Sequence, residues 1–208
     1  MKALILAVLL LSRFQPSNAA YIGWSVVEHS GVYDIIKVYE REFELWASEA
    51  LLWEVANYRE TILTCYRLLY GAILHNELEE AAQYCGVLAS LLLKAKGYTE
   101  ATGETLMPLA ESLDWSKVRL LDLSPEEIVD EWLLFKAESP EEFLYAYASA
   151  LLSLLDNMPV NAFVRIMHTP LVREMYIASL VLIIAASTFF VYKRAKREVV
   201  KPEIEAPP

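Results

Sequence analysis

Glycine, cysteine and histidine are scarce in this sequence, and each shortage excludes a class of protein. Six glycines among 208 residues are about 3%, whereas typical usage is about 7%. Few loops can then adopt positive φ, which argues against a sandwich or barrel with many tight turns. The two cysteines and three histidines show no metal-ligand spacing, and no C-x-x-C pair is present. We therefore predict neither a metal site nor a cofactor.

Catalytic motifs are missing as well. The sequence has no G-x-S-x-G nucleophile turn, no phosphate-binding glycine loop and no dinucleotide fingerprint. Carboxylate clusters such as Glu40, Glu42 and Glu44 could form pairs for acid–base chemistry, but this helical spacing is more typical of a solvated face. We predict no catalytic residues and no enzyme. An enzyme with a carboxylate site in a helical bundle is the alternative.

Apolar and aromatic residues dominate the chain instead. The sequence is 56% apolar and 12% aromatic, which is far more than a disordered polymer carries. Together with the low glycine content, this predicts an all-α fold. We expect an extracytoplasmic helical bundle or short α-solenoid of about six helices over residues 20–172, followed by one C-terminal transmembrane helix over residues 173–192.

Helical periodicity and cap residues predict several helix boundaries. Apolar residues recur at spacings of three and four over residues 33–57, which predicts one helix with an aromatic seam: Ile36, Tyr39, Phe43, Trp46, Ala50 and Trp53. Two further helices are predicted over residues 58–74 and 77–96, with a turn at His75 and Asn76 and a stop at Gly97. Residues 57–70 resemble one helix of an uncharacterised domain that accompanies membrane-tethered transglutaminase-like proteins in prokaryotes; no function is carried over from this resemblance.

Ser-Pro-Glu-Glu occurs twice, beginning at Ser124 and at Ser139, and each copy predicts a helix start with a capping box.

Near the other end of this region, Tyr21, Ile22 and Trp24 form an apolar segment. We expect this segment to dock onto the bundle; the alternative is an exposed anchor for a partner.

The first 19 residues have the layout of a secretory signal peptide. Lys2 precedes nine apolar residues over positions 3–11, and small residues follow at Ser17, Asn18 and Ala19, which predicts cleavage before Ala20. Nine residues cover only about 14 Å of helix, too short to cross a bilayer. The alternative is a buried N-terminal helix.

A longer apolar run lies near the carboxyl end. Residues 175–192 contain no charge, proline or glycine and would extend about 27 Å as a helix, enough to span a bilayer with little tilt. Basic residues follow at once: Lys193, Arg194, Lys196 and Arg197. By the positive-inside rule, this predicts a type I single-pass protein of the cell membrane, with a basic and then disordered cytoplasmic tail over residues 193–208.

Charge and cysteine positions complete the sequence-based predictions. Residues 21–174 carry 25 acidic and 11 basic side chains, which disfavours nucleic acid as a partner. Cys65 and Cys85 are equidistant from residue 75, so they face each other across the predicted hairpin. A disulfide between them would add roughly 3 kcal/mol, and two buried free thiols are the alternative.

These features predict a non-enzymatic, membrane-tethered helical module. Its expected partners are the lipid bilayer and a protein that binds the acidic helical domain, as in a small subunit of a membrane complex. A structural or self-assembling envelope component is the alternative.

Overall fold

The computed structural model describes residues 16–160, together with residues 178–179, 181–185 and 187–188. The chain divides into two compact units, residues 1–161 and residues 162–208. Within residues 16–160 there are eight α-helices, two short 3₁₀ helices and no strand. The α-helices are α1 Asn18–Val27, α2 Tyr33–Ile36, α3 Glu40–Ala50, α4 Tyr58–His75, α5 Leu78–Lys94, α6 Glu100–Glu111, α7 Pro125–Leu134 and α8 Pro140–Asp156. The prediction of an all-α helical bundle is confirmed.

Helix α5 lies at the centre of the first unit, where it packs against α1, α3, α4 and α8. Its large apolar side chains are fully buried, as at Leu88, Leu91 and Leu92. Two aromatic side chains from neighbouring helices donate hydrogen bonds to its carbonyls: Trp132 to Leu92 O at 3.0 Å and Tyr147 to Ala89 O at 3.2 Å. The polar atoms of these large rings are thereby satisfied inside the core.

Helices α3 and α5 cross at unusually short range because α5 carries glycine at the crossing. A Cβ atom at Gly86 would lie 2.3 Å from the backbone oxygen of Phe43, so no larger residue fits without moving a helix. Helix α1 approaches α5 in a similar way, since a Cβ atom at Gly23 would lie 3.0 Å from the Cβ atom of Ala89. Glycine therefore sets the helix–helix distances at the centre of the bundle.

Helix α1 confirms the prediction that the segment around Trp24 docks onto the bundle. Ile22 is fully buried, and the ring of Trp24 packs edge-on against Phe43 at 5.0 Å. The predicted signal cleavage point between Ala19 and Ala20 falls in the first turn of this helix, where both alanines are fully buried. Ser17 is its N-cap, and Ser17 N–H donates to Ser48 Oγ at 3.0 Å. Residues 1–15 of the predicted signal peptide lie outside the residues described.

The single helix predicted over residues 33–57 is wrong. The chain forms α2, a 3₁₀ turn over Lys37–Tyr39, and α3, which ends at Ala50. The buried face of α3 consists of Phe43, Ala47 and Ala50, whereas Trp46 is 37% exposed. The close crossing at Gly86 brings the α3 backbone at Phe43 and Ala47 against α5, so the large ring of Trp46 lies beside the crossing.

Most predicted helix ends are confirmed. Asn76 adopts φ 61° and Gly97 φ 74°, and the next N–H in each case bonds back to a carbonyl five residues earlier, at 2.8 and 3.3 Å respectively. The capping box at Ser124 is complete. At Ser139 only half of it forms: Ser139 Oγ accepts from Glu142 N–H, but the Glu142 carboxylate accepts from Glu138 N–H at 2.7 Å.

In the second unit, the described residues are helical and exposed. Over the residues covered by the structure, no helix combines the length and the apolar character needed to cross a membrane. Most of the predicted span and the basic residues Lys193, Arg194, Lys196 and Arg197 lie outside the described ranges.

The close crossing at Gly86 predicts opposite effects for two glycine-to-alanine substitutions. Gly86→Ala forces α3 away from α5 and should destabilise the bundle by about 1–3 kcal/mol. Gly71→Ala, in α4, meets no atom within 4 Å and should stabilise by about 0.5–1 kcal/mol through helix propensity. Thermal unfolding followed by circular dichroism measures both changes. Equal shifts of the same sign in the two variants would contradict the close packing described here.

Candidate functional site

An apolar groove opens on one side of the bundle between α3, α4 and α5. Its volume is about 330 Å³. The residues that contribute apolar surface come from all three helices and from the segment after α3: Trp46, Trp53, Leu68, Val87 and Leu91. Val87 and Leu91 are buried at its base, whereas Leu68 on the rim is 47% exposed. A surface of this kind binds apolar side chains or apolar ligand groups.

A lysine fixes the end of the groove that Trp53 occupies. Lys94, at the last turn of α5, donates from Nζ to the carbonyl oxygens of Leu51 and Trp53, the former at 2.7 Å. These carbonyls follow the end of α3 and have no further helical turn to bond with. The lysine therefore positions the residues after α3 against α5 and holds Trp53 as a wall of the groove.

Cys65 lies at the inner side of the groove and is 5% exposed. Its thiol donates to the backbone oxygen of Tyr84 at 3.2 Å. Burial raises the pKa of the Cys65 thiol from 9.0 to about 12, so the group is uncharged near neutral pH. An uncharged thiol is a poor nucleophile and a poor metal ligand, and Cys65 therefore contributes packing to the groove.

The partner cysteine of the predicted disulfide, Cys85, is fully buried on α5. Burial and the neighbouring Cys65 both raise the pKa of the Cys85 thiol. Both cysteines are free in this structure, as in the second of the two alternatives considered from the sequence. The disulfide itself stays a prediction.

An acidic depression adjoins the apolar groove. It has a volume of about 550 Å³ and is lined by Tyr39, Leu78, Gln83, Tyr84 and three glutamates of the α4–α5 turn region, Glu77, Glu79 and Glu80. Gln83 and Tyr84 line both the depression and the groove. The two therefore form one continuous surface that is apolar at one end and negatively charged at the other.

Two arginines of α4, Arg59 and Arg67, form ion pairs with other acidic residues. Arg59 donates to both carboxylate oxygens of Asp130 on α7, at 2.5 and 2.9 Å. Arg67 lies 3.9 Å from Glu60 and 3.9 Å from Glu126. Within residues 16–160, no ion pair involves Glu77, Glu79 or Glu80. The three carboxylates of the depression therefore have no salt-bridge partner in this part of the chain.

The remaining candidate groups do not converge on a reaction centre. His29 stacks on Trp115 with ring centroids 3.5 Å apart, His75 ends α4, and His168 lies outside the described residues. Two buried hydroxyls, Ser90 Oγ and Tyr98 OH, have no hydrogen-bond partner in the described part of the chain. No group of His, Cys, Asp and Glu suited to hold a metal ion occurs among the residues searched, those of the described ranges.

Sequence reasoning placed Trp46 and Trp53 in the core and so missed the groove. The signal that could have found it follows Ala50, where the six residues Leu-Leu-Trp-Glu-Val-Ala precede Asn57, a residue typical of an N-cap. Comparisons of the chain with protein families, with curated proteins and with solved structures find no match.

The buried thiols predict a decline in stability at alkaline pH. Their pKa values are higher in the folded than in the unfolded chain, so their contribution to stability is complete below about pH 9 and is lost as pH rises towards the folded values. We expect the free energy of unfolding to fall between pH 9 and pH 10. Burial also raises the pKa values of Tyr98 and Tyr147, so these tyrosines add to the fall as pH approaches 10. The Cys65→Ala/Cys85→Ala variant should therefore show a shallower fall than the native chain.

Urea titrations at several pH values measure how the free energy of unfolding depends on pH. The alanines of the double variant leave a cavity, but a cavity lowers the free energy of unfolding by a similar amount at every pH and so does not change this dependence. A flat profile for the native chain would contradict two free buried thiols. Thiol titration after unfolding then tells whether the cysteines are bridged: two reactive groups are expected for free thiols and none for a disulfide.

Proposed function

We propose that this chain is a non-enzymatic, membrane-tethered helical interaction module, a small subunit of a membrane complex. Its bundle lies outside the cell, one span crosses the membrane, and residues 193–208 lie in the cytoplasm. The observation that carries the proposal is the exposure of consecutive apolar residues in the second unit. The groove on the bundle supplies the surface through which such a module would bind a protein.

The apolar residues of the second unit cover nearly the whole circumference of a helix. Val181, Leu182, Ile183 and Ile184 are between 60% and 71% exposed. Four consecutive residues, each turned by about 100°, point in four different directions around the helix axis. A helix that is apolar on all sides and exposed on all sides is the kind of surface that lipid covers.

The hydroxyl groups near this stretch are satisfied within the helix. Ser187 donates to Ile183 O and Thr188 donates to Ile184 O, each at 2.7 Å. In a bilayer, such bonds remove the cost of leaving a hydroxyl unpaired. The absence of charge over residues 175–192 and the basic cluster beginning at Lys193 support the same placement and its orientation.

The chemistry of the groove supports binding in preference to catalysis. Its cysteine is uncharged near neutral pH, and the carboxylate on its rim, Glu60, lies 3.9 Å from Arg67. The rest of the lining consists of apolar, hydroxyl and amide side chains. Aromatic side chains at the edge of an open apolar depression are typical of protein-binding surfaces.

The proposal predicts how the chain partitions between membrane and aqueous fractions. The native chain should stay in the membrane pellet after alkaline carbonate extraction. Ile183→Arg places a charge at the middle of the span at a cost of about 2.5–3.5 kcal/mol and should move most of the protein to the supernatant. Leu134→Arg is the matched control: Leu134 is 80% exposed on the bundle, and its replacement should leave the chain in the pellet.

The orientation is tested by adding protease to intact cells. The bundle should be digested, whereas an epitope placed after residue 208 should be protected. Extraction of the native chain by carbonate contradicts the span, and a protected bundle with a digested tail contradicts the orientation.

An enzymatic role would be favoured by hydrolytic activity of the purified chain that Glu60→Gln abolishes.

A further inference from the structure

We propose that the apolar groove and the acidic depression together bind one segment of a partner protein, a segment that presents a large apolar side chain flanked by lysine or arginine. The inference rests on the proposed function, since it names the partner chemistry that the interaction module would recognise. Three features of the surface support it: the apolar anchor site, the acidic depression beside it and the distance between the two.

The anchor site is the groove between Trp46, Trp53 and Leu68. Trp46 and Leu68 are 37% and 47% exposed, so their burial on binding would remove substantial apolar surface from water. A volume of about 330 Å³ is at the small end of ligand pockets, which favours one or two inserted side chains over a large cofactor or a lipid chain. Tryptophan is also among the residues that contribute most to binding at protein interfaces.

The charge beside the anchor site selects the flanking residues of the partner. Glu77, Glu79 and Glu80 form no ion pair within residues 16–160. Residues 16–160 as a whole carry 24 acidic and nine basic side chains. A cationic segment would therefore be attracted, whereas an anionic one would be repelled.

The distance between the two features sets the length of the partner segment. The shared surface follows α5 from Glu80 through Gln83, Tyr84 and Val87 to Leu91. The eleven residue-to-residue steps from Glu80 to Leu91 rise about 16 Å, which corresponds to three turns of a partner helix or about five residues of an extended segment. One short segment can thus reach the apolar groove and the acidic depression at the same time.

The proposal is tested without knowledge of the natural partner by peptide selection. The full chain is held in lipid nanodiscs and serves as the target for a displayed library of random 16-residue peptides. Selected peptides should combine a large apolar residue with an excess of lysine and arginine. Leu68→Glu should weaken their binding at least tenfold. The control is the same substitution at another exposed leucine, one that does not line the groove: Leu134→Glu should alter binding less than twofold.

A second pair of variants tests the acidic half of the surface. Glu79→Gln/Glu80→Gln should weaken binding at least threefold and reduce its dependence on salt, whereas Glu138→Gln/Glu141→Gln, two exposed glutamates near the start of α8, should change neither. Circular dichroism confirms that each variant is folded. All four sites are exposed and outside the core, so the fold is expected to survive.

Peptides without net positive charge, peptides that bind Leu68→Glu as tightly as the native chain, or a failure to select any binder would overturn the proposal. In the absence of peptide, the Leu68→Glu variant and the native chain should sediment alike. A difference between them would also overturn the proposal, because it would show that a second copy of the chain occupies the groove. If carbonate extracts the chain from the membrane but the chain still binds the selected peptides, only the proposed membrane location is contradicted. An inserted chain that selects no peptide contradicts the groove assignment only.

Discussion

The bundle is organised by how closely two helices approach the middle of α5. Gly86 allows the backbone of α3 to approach α5, and Gly23 allows α1 to approach Ala89. At such distances there is room for alanine but not for a large side chain between the helix axes. The aromatic residues of α3 must therefore lie beside the crossing: Phe43 inserts towards Trp24 of α1, and Trp46 lies at the edge of the groove. The candidate binding surface is a consequence of this packing.

Two lysines at the carboxyl end of α5 connect this helix to the ends of its neighbours. Lys94 and Lys96, both at the carboxyl end of α5, donate to carbonyls at the ends of two other helices: Lys94 after α3, and Lys96 to Leu133 O and Phe135 O at the end of α7. Lys96 also lies 5.2 Å from the centre of the Trp132 ring. Burial, with a smaller contribution from Lys136, lowers the pKa of Lys96. These two lysines are therefore bonded within the fold, whereas residues 16–160 carry 24 acidic and only nine basic side chains in all.

The sequence predicted the features that depend on local chemistry. Asn76 and Gly97 were identified as helix stops because few other residues adopt positive φ, and Ser124 as a cap because of the glutamate three residues later. Tertiary packing decided what local rules could not. The regular spacing of Trp46 and Trp53 predicted a core position, but it carried no information on the approach of Gly86, which lies 40 residues away from Trp46 in the chain. The half-formed box at Ser139 has a local cause instead, because Glu138 N–H donates to the carboxylate that would complete it.

Trp46 reports most directly on the packing of α3 against α5, because the sequence pattern places it in the core and the structure places it at the groove. Hydroxyl-radical footprinting of the full chain, read by mass spectrometry, compares the oxidation of individual tryptophans. We expect Trp46 to be oxidised rapidly, whereas Trp24 and Trp132, both buried in the bundle, should be protected. Protection of Trp46 to the same degree as Trp132 would contradict the close crossing of α3 and α5 and the groove that follows from it.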